Sequence, residues 1–184
     1  MESHFINSIV NSIDRFTLLT GRIVSWFSLF MVLITFSIVV LRYGFNMGWI
    51  AMQESVLYMH GLVFLLGSAY TLKEGGHVRI DVFYQKYSPK TKALVDLLGT
   101  LFLLIPVCFF IFYISFDYVY AAWRILEESA QPGGLPFVYV SKTFLLLFSV
   151  TLTLQGLAEI LRNLMKYKTE LTKPSNSSNK VEAL

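Results

Sequence analysis

The chain has 184 residues, 55% of them hydrophobic, and a mean hydropathy of +0.59, against roughly 45–50% apolar in an ordinary soluble chain. Its net charge of +3 does not mark a nucleic-acid binder, because the basic residues are split among separate loops and form no stripe interleaved with aromatics. The one cysteine, Cys108, lies within an apolar run, which excludes an intrachain disulfide and a Cys-rich metal site.

The apolar excess collects in four stretches, each long enough at ~1.5 Å per residue to cross a hydrocarbon core of roughly 30 Å. The expected fold is an all-α integral membrane domain over residues 22–168, with little chain left for a soluble catalytic domain. Before it, residues 1–21 place Phe5, Ile6, Ile9, Val10, Ile13 and Phe16 at three- and four-residue spacings, with Asn7, Asn11, Asp14 and Arg15 between them. That pattern predicts an amphipathic helix lying in the headgroup layer; packing on a protein neighbour is the alternative. A cleaved signal peptide is not expected, because no basic segment precedes the first apolar run and no small-residue cleavage site follows it.

The first span is expected over about residues 23–41, with Trp26 as an interfacial anchor. Arg42-Tyr43-Gly44-Phe45-Asn46 then carries Gly and Asn where a helix stops. A second span over 54–72 follows Trp49 and ends at Lys73-Glu74-Gly75-Gly76. After it, Ile80, Phe83, Tyr84 and Tyr87 repeat at helical spacing and predict a short helix lying on the membrane. Ser88-Pro89 reads as an N-cap and first helical position. It opens a third helix over 89–123, which is too long for the bilayer core unless it tilts, and Pro106 is the expected kink. Glu127 to Pro136 is too rich in Pro and Gly to be helical throughout. The fourth span covers 137–161, and residues 169–184 are Ser, Asn and Lys rich, a composition expected to be disordered.

Of the 15 Lys and Arg residues, three (Arg42, Arg124 and Lys142) fall on the side of the first and third connections. The other twelve fall in the N-terminal segment, the second connection and the tail. A positive-inside bias of this size places both termini in the cytoplasm.

Ionisable residues in or near the spans are costly in lipid and face protein or water. Here they are Arg42, Glu54, His60, Asp96, Asp117 and Glu159. Arg42 and Glu54 flank a short turn and are the expected internal ion pair. On the second span Glu54, Tyr58, Gly61, Leu65 and Ser68 share a face, with Gly67 close by; small residues there suit close helix approach, either inside the bundle or to another protein. The histidines do not offer two haem ligands at one depth, since His60 and His77 stand at opposite ends of the second span. No phosphate-cradling Gly-Lys-Ser loop, zinc-protease histidine pair or nucleophile elbow occurs. The expectation is therefore a non-enzymatic chain without a cofactor.

Leu41-Arg42-Tyr43-Gly44-Phe45-Asn46, Glu54, Phe64-Leu65-Leu66-Gly67-Ser68-Ala69 and Gly75-Gly76-His77-Val78-Arg79-Ile80-Asp81-Val82 together resemble one known pattern. It is that of the small membrane subunit, DctQ-like, of tripartite ATP-independent periplasmic (TRAP) transporters. The resemblance continues through Ser88-Pro89, Glu128-Ser129, Gly134-Leu135-Pro136, Lys142 and Gln155-Gly156, covering about residues 22–162. It implies a multi-pass protein of the bacterial inner membrane, part of a sodium-driven importer of organic acids. A large membrane subunit would carry the substrate and sodium sites, a periplasmic binding protein would deliver the substrate, and this chain would brace the large subunit among the membrane lipids. Arg42, Glu54, His77, Arg79 and Asp81 would then hold structure or the subunit interface. The long connection from Arg124 to Pro136 is similar to the longer-chain branch of that family. Two other readings stay open: a self-sufficient proton-coupled exporter, and the membrane anchor of a redox complex.

Overall fold

A computed structural model describes residues 2–76, 84 and 86–172, and among these every regular element is helical. The elements are α1 (Glu2–Gly44), α2 (Ile50–Lys73), α3 (Pro89–Gly99), a π-helical turn (Thr100–Leu104), α4 (Ile105–Arg124) and α5 (Val138–Thr172). Four stretches are long and apolar enough to cross a membrane: Ile6–Gly44, Ile50–Lys73, Pro89–Arg124 and Val138–Leu171. The expected all-α, four-span architecture is therefore what the chain forms.

No break separates the amphipathic segment from the first span, since α1 runs for 43 residues, about 65 Å. Gly21, within this helix, serves packing. A Cβ there would lie 2.5 Å from Cδ2 and 2.9 Å from Cβ of Tyr70, so a hydrogen is what lets α1 and α2 approach.

Helix ends follow local rules. Asn46 takes a left-handed φ of 53° just beyond α1, a conformation Asn tolerates better than most residues. At the end of α2, the Gly76 N–H donates to Thr71 O at 2.9 Å and the Gly75 N–H to Leu72 O at 3.1 Å, with Gly75 at φ 66°. This is a Schellman motif. At the start of α3 the Ser88 hydroxyl accepts from the Thr91 N–H, with Pro89 in the first turn.

The third span continues through its proline by changing helix type. Pro106 has no N–H to donate and its ring would crowd the preceding turn. Residues Thr100–Leu104 widen into a π turn just before it, and the Ile105 N–H reaches back to Thr100 O. The expected disturbance at Pro106 thus takes the form of one inserted residue.

α5 is the central helix, touching α1, α2, α3 and α4, while α1 pairs with α2. Its inward residues are small or polar: Ser149, Gln155 and Ala158 are no more than 1% exposed. Gly156 takes the closest approach, since a Cβ there would lie 2.7 Å from Leu104 and 3.2 Å from Ile105. Small residues matter because lipid is as apolar as the helices, so association rests on close packing rather than on hydrophobic burial. The outer faces show the complement: Phe36, Phe64, Phe109 and Tyr113 are exposed, a surface that lipid or protein must cover.

Candidate functional site

Two polar assemblies tie the helices together, one at each end of the bundle. At the end carrying the 125–137 connection, Glu54 stands in the second turn of α2 and serves as acceptor for a distant loop. Its Oε1 accepts from the Ser129 hydroxyl, and its Oε2 accepts from the Leu135 N–H at 2.6 Å. The loop closes on itself around that carboxylate. Ser129 N–H donates to Leu135 O at 3.2 Å and Gly134 N–H to Gln131 O at 3.0 Å, while Gln131 N–H donates to Ser129 Oγ at 3.1 Å.

Glycine is required twice in this loop. Gly133 has a φ of 77°, in the region that side chains rarely enter. A Cβ on Gly134 would lie 2.6 Å from Ser129 Cβ and 2.8 Å from Glu54 Oε2. Nearby, Lys142 pairs with Glu127 and lies 3.9 Å from the Tyr118 ring centroid. The Trp123 indole N–H donates to Thr143 at 2.9 Å, and the ring meets Tyr139 edge-on at 4.7 Å. α4, the loop, α2 and α5 are thus joined at one end.

The expected Arg42–Glu54 ion pair does not form. Arg42 is exposed at the end of α1, and among the described residues it makes no ion pair. Folding the 125–137 loop over α2 brings backbone and hydroxyl donors to Glu54, and these satisfy the carboxylate.

At the opposite end, Arg162 of α5 donates to both carboxylate oxygens of Asp14 on α1, at 3.0 and 2.8 Å, and to Glu159 one turn back. Gln155, fully buried, donates to Asp14 Oδ1 at 3.2 Å and accepts from the Thr17 hydroxyl at 2.8 Å. Two acids, one guanidinium, an amide and a hydroxyl therefore lock the amphipathic part of α1 onto α5. Sequence reasoning missed this network. One signal was available: Asp14 has no cation three or four residues away on its own helix, so its partner had to come from elsewhere in the fold.

The remaining residues singled out on α2 divide. Gly61 lies in ordinary contact with Phe144, whereas a Cβ on Gly67 would meet nothing within 4 Å. The Ser68 hydroxyl donates to Leu65 O at 2.7 Å. Tyr58, one turn beyond Glu54, has a buried hydroxyl with no hydrogen-bond partner. His77, Arg79 and Asp81 lie outside the described residues, as does most of the short helix expected after Gly76. On α4, Asp117 is exposed and unpaired among the described residues, on the face that also carries Tyr113 and Tyr120.

Compared with known protein families, residues 31–166 match the family described as tripartite ATP-independent periplasmic transporters, DctQ component. No curated protein and no solved structure matches the chain.

Proposed function

The chain belongs to the DctQ component family of the tripartite ATP-independent periplasmic transporters, and from that membership we propose that it braces a large transport subunit in the membrane, within a sodium-driven importer of organic acids. The observation that carries the bracing role is the use made of its charges. Glu54, Glu127, Lys142, Asp14, Glu159 and Arg162 are engaged inside the chain, at the two ends of the spans. Such clamps stiffen a bundle whose middle is held only by close packing.

The α4 face of Phe109, Tyr113, Asp117 and Tyr120 docks on the large subunit. Those aromatics are more than half exposed, and a carboxylate among them is costly against lipid. A cationic or hydrogen-bonding partner group on the large subunit relieves that cost. A soluble binding protein delivers the substrate, and specificity resides in the other chains.

Both termini and the connection between α2 and α3 lie in the cytoplasm, a reading supported by the distribution of Lys and Arg. Labelling of a cysteine at position 86 by an impermeant reagent outside intact cells, in a Cys108→Ser background, contradicts that orientation. The function is tested by uptake into sealed vesicles. Sodium-driven uptake is expected when this chain, the large subunit and the binding protein are all present, and none with this chain alone. Substrate uptake by the purified chain alone refutes the bracing role.

A further inference from the structure

Where α2 ends and α3 begins, the helices stand apart around a groove of ≈ 1150 Å³. Its deep wall is apolar, formed by Leu104, Ile111, Phe148 and Leu152, and its mouth carries Lys73, Asn163 and Lys166. The volume exceeds the roughly 300–1,000 Å³ of most small-molecule sites.

Two groups at the mouth are uncommitted. Asn163 is only 5% exposed, yet among the described residues its carboxamide has no hydrogen-bond partner, whereas Lys73, Glu74, Asp96, Glu159 and Arg162, which also line the groove, are all engaged. Among the described residues the one buried unpaired side-chain atom is the Tyr58 hydroxyl, so the Asn163 amide is not sealed in the core but opens onto the groove, where the lipid core offers it no donor or acceptor. Lys166 lies one turn further along α5, exposed and without an ion pair among the described residues, whereas Lys73 is held by Glu74 and Arg162 by Asp14 and Glu159.

We propose that this groove holds one anionic phospholipid, its acyl chain along the apolar wall and its phosphodiester oxygens accepting from the Asn163 amide and the Lys166 ammonium. The depth of the apolar wall decides between a lipid and a free anion. A free phosphate would satisfy the mouth and leave the wall uncovered, whereas a lipid satisfies both. The site is separate from the α4 face assigned to the large subunit, and its occupancy does not depend on that assignment.

The test uses the full chain in nanodiscs of phosphatidylcholine containing a minority of phosphatidylglycerol, followed by native mass spectrometry of the released protein. One retained phosphatidylglycerol per chain is expected. Lys166→Gln and Asn163→Leu should each reduce its retention relative to phosphatidylcholine by about tenfold, the effect of losing one charge-assisted hydrogen bond. Asn163→Leu removes an unpaired polar group and leaves folding intact, so circular dichroism should match the parent. Ile111→Trp, which fills the wall, should expel lipid of either kind. Inorganic phosphate should not compete. Equal retention of the two lipids, retention unchanged in all three variants, or displacement by phosphate overturns the proposal. So does loss of the lipid when the large subunit is bound, which would assign the groove to a segment of that partner.

Discussion

Glu54→Ala should lower the stability of the folded chain by about 3–4 kcal/mol, the low end of the sum for two hydrogen bonds to a charged acceptor at ~1.5–3 kcal/mol each, because both are only part-buried. The Leu135 N–H and the Ser129 hydroxyl lose their partner, and the loop between α4 and α5 loses the anchor around which it turns. Glu54→Gln retains one acceptor oxygen and should cost about half as much. Arg42→Ala should cost only ~0–1 kcal/mol, the range for an exposed charge. The double change should equal the sum of the single ones, since the two groups share no partner. Heat-induced aggregation followed by gel filtration in detergent measures all four. A double variant less impaired than the sum would restore the Arg42–Glu54 pair and contradict the loop assignment.

The second large effect is expected at Arg162. Arg162→Ala leaves Asp14 and Glu159 as uncompensated carboxylates around a buried glutamine. The loss should be about 2–3 kcal/mol, below the ~3–5 kcal/mol of a fully buried pair, because the Arg162 side chain retains 25% exposure. Adding Asp14→Ala to Arg162→Ala should cost less than the two separate losses combined, since it removes a stranded charge. The same thermal assay reads this cycle, and strictly additive losses would show that the α1–α5 contact carries no coupling.

These two clamps also mark the boundary of what the sequence makes legible. Ser88-Pro89 opening a helix and Gly75 closing one are readable because a cap is decided by residues within one turn of each other. The four spans are readable because hydropathy over about 20 residues is itself the physical requirement for crossing lipid. Proline 106 announced a disturbance, but not that a π turn would absorb it, which depends on Gly156 of α5 admitting Leu104 and Ile105. Gly21 carries no sequence signal of its role, because that role is set by Tyr70 on another helix. Glu54 needs a partner, and the nearest cation in sequence is Arg42. Its actual donors are 75 and 81 residues away, a pairing that only the folded loop brings about. Asp14 and Arg162, separated by 148 positions, were beyond reach for the same reason.

On the proposed bracing role, this chain acts only in company. Purifying it through an affinity tag from native membranes, in a mild detergent, measures that directly. Recovery of a large, many-span membrane protein in equal amount is expected, with Asp117→Leu reducing that partner while leaving the tagged chain folded. A tagged chain recovered free of any such partner, which alone drives substrate uptake in vesicles, would contradict it.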